Sequence, residues 1–262
     1  MKWIVPDWPA PASVRALSTT RDGGVSEGVF RGLNLGAHVG DEAARVEANR
    51  AALQQAAGIP GRLNWLDQVH GTAVHPVSNA LGATPQADAA CAHEAGLACI
   101  VMTADCLPVL LCDRAGTRVA AAHAGWRGLQ GGVLEASIAA MGCEPADLLA
   151  WLGPAIGPRA FEVGGEVRDA FLAEQAEAAA AFVPSANEGK WLADIYLLAR
   201  LRLARAGVSA VYGGEHCTFS DDERFYSYRR DGQTGRMASL IWLADCIGAS
   251  SMPVSAVMAG AI

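Results

Sequence analysis

Three short apolar runs in the middle of the chain restrict the folds that it can adopt. They cover residues 97–104, 109–113 and 117–123, and the segments "DCLP" and "RAG" separate them. Runs of this length that are apolar at consecutive positions predict strands with both faces buried. The short "RAG" segment predicts that the last two runs form a hairpin. The chain is therefore expected to build a sheet that other layers cover on both sides.

Helical patterns alternate with such strands along the chain. Residues 41–58, "DEAARVEANRAALQQAAG", begin with acidic residues and end at Gly58, as helices commonly do. Further helices are predicted over residues 131–141, 164–181 and 194–206 and from Gly235 onward, and further strands over "LLAWLGPAIG" and residues 208–213. The rest of the first third is turn-rich and predicts irregular connections. This alternation predicts an α/β or mixed α+β fold, with one domain over residues 1–245.

The composition excludes several classes of protein. The 262 residues are 52% hydrophobic and 18% charged and include 29 glycines, which indicates a globular protein with a large core. The formal net charge of -7 provides no general positive field for nucleic acid or for an anionic membrane surface. An anionic ligand therefore requires a local cluster of arginines.

The N-terminal residues and the cysteines indicate where in the cell the protein is expected. Residues 1–8 lack the basic start and the apolar stretch of a secretory signal, which predicts a cytoplasmic protein with reduced thiols. The seven cysteines contain no C-x-x-C pair and so predict no zinc ribbon.

Residues 246–262 carry no charged side chain and are too short and too interrupted for a membrane span. We expect a loosely packed tail there, and the sequence leaves its role open.

A histidine ends the third apolar run, in "AAAHAGWRG". If the hairpin turns at residues 114–116, the numbers of facing residues sum to 229 or 230, so His123 lies opposite Cys106 or Leu107. Pro108 cannot donate to a central ladder, which places the start of the strand there and leaves Cys106 on the preceding turn. A thiolate beside an imidazole favours nucleophilic catalysis or a transition metal.

His70 is the best candidate for a third ligand, because in "NWLDQVHG" a strand-like run also ends at a histidine followed by glycine. A structural histidine and a core cysteine remain open alternatives at this point. His216 and Cys217 are adjacent and would point to opposite faces of a strand. His38, His75 and His93 lie in polar segments, and the H-x-E and P-C-x-x-C motifs of cytidine-type deaminases are missing from the sequence.

Arginines concentrate in "FYSYRRDGQTGR", in which Arg229, Arg230 and Arg236 lie around an Asp-Gly turn and three aromatic residues come just before. Guanidinium groups bind phosphate and carboxylate in a bidentate manner, and aromatic rings stack on planar bases. Arg21 in "TTRDGG" and Arg127 in "GWRG" are further candidates on glycine-rich loops. A solvated turn with salt bridges is the alternative interpretation.

The motifs together resemble those of the bacterial YfiH-like, or laccase-domain, family. They occur in the order "TTRDGGVSEG", "LNLGAHVGD", "NR", "DQVHG", "TADCLPV", "AAHAGWRG", "GPAIGPRAFEVG" and "FYSYRRDGQTGR". The resemblance implies a layered α/β fold with packed sheets and outer helices, and a zinc-capable site at His70, Cys106 and His123. Asn34 and Gln68 lie in two of the motifs and join the four arginines as expected substrate-binding residues. The segment from residue 246 departs from the family pattern.

The resemblance also implies a function. Members are variously described as polyphenol oxidases, purine nucleoside phosphorylases or peptidoglycan editing factors. The leading implication is zinc-dependent phosphorolysis of adenosine, inosine and methylthioadenosine, with nucleoside and phosphate as partners and adenosine deamination as a companion activity. Copper is a second metal for the site, but the six histidines form no His-x-His pair typical of a copper-dependent polyphenol oxidase. A hydrolase that edits cell-wall precursors with Cys106 as nucleophile, and a zinc-stabilised nucleotide-binding module, remain alternatives. The sequence leaves homo-oligomerisation open.

Overall fold

The computed structural model describes residues 1–59, 61–80 and 82–244. Its strands are β1 (Trp3–Ile4), β2 (Val14–Thr19), β3 (Val74–Pro76), β4 (Ala89–Ala92), β5 (Ala98–Thr103), β6 (Leu107–Asp113), β7 (Val119–Ala124), β8 (Leu148–Leu152), β9 (Glu162–Gly164), β10 (Phe182–Pro184), β11 (Lys190–Ala193), β12 (Ala210–Gly213) and β13 (Met237–Leu243). Its α-helices are α1 (Ala43–Ala57), α2 (Trp126–Gly131), α3 (Val133–Met141), α4 (Gly165–Glu174), α5 (Ile195–Arg205) and α6 (Tyr228–Asp231), and short 3-10 helices cover Gly28–Phe30, Pro145–Asp147 and Ala176–Ala181.

The strands form three sheets. A six-stranded sheet has the order β12-β8-β6-β7-β4-β3, a four-stranded sheet has the order β1-β2-β13-β5, and a small sheet has the order β10-β11-β9. Neighbouring strands are antiparallel except for the pairs β12·β8 and β3·β4, which are parallel. The hairpin of β6 and β7 forms the middle of the largest sheet, as the apolar runs predict.

The two large sheets pack face to face, and helices cover their outer faces. Leu110 and Trp151 of the six-stranded sheet share a core with Val101 and Ile241 of the four-stranded sheet. The other face of the six-stranded sheet packs on α3, α4 and α5. The outer face of the four-stranded sheet packs on α1, which ends at Gly58 in the left-handed conformation. The predicted layered, mixed α/β fold is confirmed.

Several details differ from the sequence-based predictions. The predicted closing helix from Gly235 is wrong, because the apolar segment "MASLIWL" is instead strand β13, buried at every position between β2 and β5. The first third also contains strands β1 and β2 in addition to the predicted helix. The helix predicted over residues 164–181 is split at Gln175 into α4 and a 3-10 helix.

The hairpin register also differs by one residue from the prediction. His123 lies opposite Pro108, and Leu107 lies opposite Ala124, so Cys106 is one position beyond the paired residues. The cause is a longer turn: the Asp113 carboxylate accepts hydrogen bonds from the main-chain N–H groups of Thr117 and Arg118. These bonds make a four-residue loop in place of the expected three, and the strand begins at Leu107 rather than at Pro108.

The predicted tail, residues 246–262, lies outside the described residues. Within the described ranges, none of the helices combines the length and the apolar character that a bilayer crossing requires.

Candidate metal centre

His70, Cys106 and His123 converge at one end of the six-stranded sheet. Their ligand atoms all lie within 4.8 Å of one another, and Cys106 Sγ is 3.7 Å from His70 Nε2. The two imidazole rings meet edge to face, with 4.8 Å between their centroids. His70 is exposed, Cys106 is half-buried and His123 is buried, so the trio lies where a strand end opens to solvent. In the described part of the chain, it is the one group of three such ligands.

The carboxylate of Asp88 orients both histidines. It is fully buried, and its Oδ1 lies 2.8 Å from His123 Nδ1, so the Nε2 atom of His123 remains available on the ligand side. Asp88 also accepts hydrogen bonds from the main-chain N–H groups of Val69 (3.2 Å), His70 (2.8 Å) and Gly71 (2.6 Å). A metal-binding histidine commonly has such a carboxylate on its second nitrogen.

These bonds also stabilise an unusual backbone conformation. His70 has a φ of 61°, in the left-handed region that a residue with a Cβ seldom adopts. Three successive N–H groups that point at one carboxylate form a cradle for negative charge, and this cradle offsets the conformational cost. Sequence analysis missed Asp88, although a single acidic residue within the apolar stretch of residues 87–92 was a usable signal.

The electrostatics of the site favour a thiolate facing an imidazolium. Burial raises the pKa of the Cys106 thiol, but His123 and His70 outweigh burial and lower that pKa to about 6. Burial lowers the pKa of His123, but the Cys106 thiolate and Asp88 outweigh it and raise that pKa to about 9. A thiolate is the form of cysteine that binds a metal ion, and an imidazolium must release its proton to do so.

Gly125 leaves the space that the three ligands share. A Cβ atom at this position would lie 2.9 Å from His70 Cδ2, 3.0 Å from Cys106 Sγ and 3.6 Å from His123 Nε2. The backbone of Gly125 is extended, with φ at -60° and ψ at 156°, so close approach rather than a special conformation requires glycine. Two imidazole nitrogens and one thiolate around such a space could hold a metal ion, and this donor set is compatible with zinc or copper.

Asp105 positions Cys106 from the other side. It has a φ of 88°, and its buried carboxylate accepts hydrogen bonds from the hydroxyls of Thr218 (2.6 Å) and Ser227 (3.0 Å) and from the Arg229 N–H group (2.7 Å). The turn that carries the thiol is thereby bonded to the arginine-rich segment. Sequence analysis did not identify Asp105.

The four arginines that the sequence predicts as substrate-binding residues lie in different surroundings. Arg21 donates to the carbonyls of Asp222 and Arg31 and stacks over Tyr226. Arg230 donates to Asp231 and to three main-chain carbonyls. Arg229 donates through Nη1 to the Glu162 carbonyl, and the exposed Arg127 lies over Trp126. Arg21 and Arg230 therefore hold loops together.

Asn34 and Gln68, the other two predicted substrate-binding residues, are bonded to the protein itself. Asn34 is fully buried; its Oδ1 accepts from the N–H groups of Gly36 and Arg236, and its Nδ2 donates to Asp41. Gln68 exchanges two hydrogen bonds with the main chain of Met102, at 2.8 and 2.7 Å. Both side chains fix loops around the cluster of His70, Cys106 and His123.

A family model described as multi-copper polyphenol oxidoreductase laccase matches residues 15–244. The chain belongs to this family. A protein of Pseudomonas aeruginosa that is named a purine nucleoside phosphorylase is 62% identical over 243 residues, which are 93% of this chain and 99% of that protein. YfiH of Escherichia coli, named likewise, is 57% identical over 242 residues, with 92% and 99% covered.

Solved structures agree with this family assignment. A Neisseria meningitidis protein aligns with a TM-score of 0.89 at 57% identity, over 94% of this chain and 100% of that chain. YlmD from Geobacillus stearothermophilus aligns with a TM-score of 0.88 at 32% identity, over 94% and 97% of the two chains. The resemblance inferred from the sequence motifs is confirmed.

Proposed function

We propose that the protein is a zinc-dependent purine nucleoside phosphorylase that also deaminates adenosine. The observation that carries the proposal is the convergence of His70, Cys106 and His123 around the space beside Gly125. The names of the relatives from Pseudomonas aeruginosa and Escherichia coli support the substrate class. Adenosine, inosine and methylthioadenosine are the proposed nucleosides.

The proposed reaction exchanges one bond at the sugar carbon C1′. A phosphate oxygen forms a bond to C1′, the bond from C1′ to the purine nitrogen breaks, and the electron pair of that bond leaves with the purine. The base takes up a proton, and the products are the free base and the sugar 1-phosphate, which is ribose 1-phosphate for adenosine and inosine and 5-methylthioribose 1-phosphate for methylthioadenosine. The protein must hold phosphate and nucleoside in line and stabilise charge on the departing base.

We assign the metal to the two histidines and Cys106, because two imidazoles and one thiolate leave the open position of a catalytic zinc site. When bound there, zinc supplies a Lewis acid that lowers the pKa of water for deamination and attracts electrons from the departing base. Asp88 keeps the proton of His123 on Nδ1 and leaves Nε2 for the metal. Asp105 keeps Cys106 in register with the arginine-rich segment.

The substrate-binding residues act in two ways in this proposal. Arg127 and Arg229 have guanidinium nitrogens without a partner among residues 1–59, 61–80 and 82–244, and we assign them contacts to the nucleoside. Arg21 and Arg230, whose bonds go to neighbouring loops, act by holding those loops. Asn34 and Gln68 support the same loops.

A second candidate function is hydrolysis with Cys106 as the nucleophile. The lowered pKa of the Cys106 thiol beside His123 supports it. A multicopper oxidase mechanism has less support, because it needs several copper sites and the described residues contain one cluster of His and Cys ligands.

The proposal is tested by product analysis. Protein of defined zinc content is incubated with adenosine and phosphate, and adenine, ribose 1-phosphate and inosine are separated by chromatography. We expect ribose 1-phosphate only when phosphate is present, in an amount equal to adenine plus the hypoxanthine formed from inosine, and we expect deamination to inosine with or without phosphate. Zinc-loaded protein that forms none of these products would contradict the proposal.

A further inference from the structure

Arg236 belongs to the arginine-rich motif but is not among the four arginines that the sequence predicts as substrate-binding residues, and it lies close to the segment that carries Cys106. We propose that it binds the phosphate co-substrate through its free guanidinium edge. This inference rests on the proposed function for the identity of the anion, and it goes beyond the four arginines considered above.

The strand pairing places Arg236 next to the segment that carries Cys106. Met237 of β13 lies opposite Thr103 of β5, so Arg236, one residue earlier, is level with Ala104, two residues before Cys106. The main chain of Arg236 is fixed on both sides: its N–H group donates to Asn34 Oδ1 at 2.9 Å, and its carbonyl accepts from the Leu35 N–H group at 3.1 Å. The main chain of Arg236 is therefore fixed where the chain enters β13.

The guanidinium group of Arg236 is held by one nitrogen and leaves two unused. Nη1 donates to the carbonyls of Thr234 and Gly235, at 3.0 Å each. Nε and Nη2 have no hydrogen-bond partner in the described ranges, and no carboxylate there lies within 4 Å of the group. The pair of free nitrogens is the edge that binds two oxygens of a phosphate.

The surroundings of Arg236 leave little freedom to its stem. A Cβ atom at Gly36 would lie 2.8 Å from Arg236 Cγ, so the loop packs directly on the stem. The Tyr228 ring lies on another side, 5.9 Å from Cζ. A rigid stem favours anion binding because less side-chain entropy is lost. The Thr234 hydroxyl, which is buried and has no partner in the described part of the chain, adds an unused donor close by.

Charges around Arg236 are consistent with a nearby anion site. Burial lowers the pKa of its guanidinium, and the negative charges of Cys106 and Asp105 partly offset that effect. The Asp105 carboxylate is already bonded to Thr218, Ser227 and Arg229 and forms no salt bridge with Arg236. A half-buried cation without a bonded carboxylate is stabilised when an external anion binds.

The test compares Arg236→Gln with Arg114→Gln, which removes an exposed arginine in the hairpin turn at the opposite end of β6. Binding of inorganic phosphate is measured by calorimetry on zinc-loaded and on chelated protein, and zinc content and thermal unfolding are measured for each variant. We expect Arg236→Gln to weaken phosphate binding by about 10- to 100-fold, the effect of losing charge-assisted hydrogen bonds. Arg114→Gln should bind as the wild type does, and Arg236→Lys should show an intermediate loss because it keeps the charge.

Kinetics separate this inference from the proposed function. In Arg236→Gln, the KM for phosphate should rise by about 10-fold or more, whereas the KM for the nucleoside should change less than about 2-fold. Folded, zinc-loaded Arg236→Gln that keeps wild-type phosphate affinity would overturn the inference, as would wild-type protein without measurable phosphate binding. Phosphate binding that depends on Arg236, in protein without phosphorolysis, would retain the anion site and reject the proposed reaction.

Discussion

Replacing Asp88 by asparagine changes one atom of a fully buried side chain and tests how the two histidines are held. Oδ1 of Asp88 accepts hydrogen bonds from the His70 main-chain N–H group and from His123 Nδ1. Oδ2 accepts hydrogen bonds from the main-chain N–H groups of Val69 and Gly71. An asparagine has one acceptor oxygen and one NH2 group. In either orientation of the amide, its NH2 group therefore faces two groups that donate hydrogen bonds to Asp88 in the wild-type protein.

Neither orientation of the substituted amide preserves the site. If the NH2 group faces Val69 and Gly71, two main-chain donors lose their acceptor. If it faces His70 and His123, the His70 N–H loses its acceptor and His123 must place its own proton on Nε2, where it blocks metal binding. Hydrogen bonds to charged groups contribute about 1.5–3 kcal/mol each, so losing two of them should lower the free energy of unfolding by about 3–6 kcal/mol. Metal affinity should fall by at least the 10- to 100-fold typical for such supporting residues.

Asp105→Asn is the matched control, because it makes the same chemical change in the other buried carboxylate of the site. Among the described residues, Oδ1 of Asp105 is bonded only to the Thr218 hydroxyl, which can rotate and accept from an NH2 group. Oδ2 keeps its bonds to the Ser227 hydroxyl and the Arg229 main-chain N–H group. We therefore expect a loss of about 1–2 kcal/mol in unfolding free energy and less than about 10-fold in zinc affinity.

Urea unfolding of the chelated proteins and competition for zinc with a chromophoric chelator measure the two effects separately. Asp88→Asn with zinc affinity and stability no worse than those of Asp105→Asn would refute the assignment of Asp88 as the residue that fixes His70 and His123.

Three further predictions concern the same centre. Gly125→Ala should abolish zinc binding, because its Cβ would approach His70 and Cys106 within 3.0 Å, yet it should change the unfolding free energy of chelated protein by less than about 1 kcal/mol; normal zinc affinity would contradict this. In chelated protein, iodoacetamide labelling of Cys106 should rise with pH around a midpoint near the pKa of about 6, and bound zinc should suppress it; a midpoint near 8.5, typical of a free thiol, would contradict the thiolate assignment. Zinc at 100 times its Kd should stabilise wild-type protein by about 2.7 kcal/mol and Cys106→Ser far less, as thermal unfolding will show; equal stabilisation would place the metal elsewhere.

Local pattern made His70, Cys106 and His123 candidates, the family resemblance joined them into one expected site, and the structure brings the three together. A strand-like run that ends at a histidine close to a glycine occurs at His70 and His123, and the expected strand start at Pro108 placed Cys106 on the preceding turn, although β6 begins one residue earlier, at Leu107. The apolar runs were sufficient for the central hairpin. The one-residue error in register came from the Asp113 side chain, whose two hydrogen bonds lengthen the turn.

Features that depend on distant partners were not predictable from local pattern. The segment from Met237 to Leu243 is apolar except for Ser239 and fits either a helix or a strand. Its pairing with β2 and β5, which are far away in sequence, makes it a strand. The roles of Asp88 and Asp105 depend on hydrogen bonds to residues that lie 17 to 124 positions away in the sequence. The direction of an arginine side chain is not encoded locally either, which is why Arg230 and Arg236 differ although both lie in one motif.

The most direct test of the central claim is a zinc titration of chelated protein with phosphorolysis of inosine as the readout. If one ion held by His70, Cys106 and His123 supports turnover, the rate of hypoxanthine release should rise linearly and reach its plateau at one zinc per chain. Cys106→Ser should show no such rise. Full activity in zinc-free protein, abolished by alkylation of Cys106, would contradict the account and identify the thiol as a nucleophile.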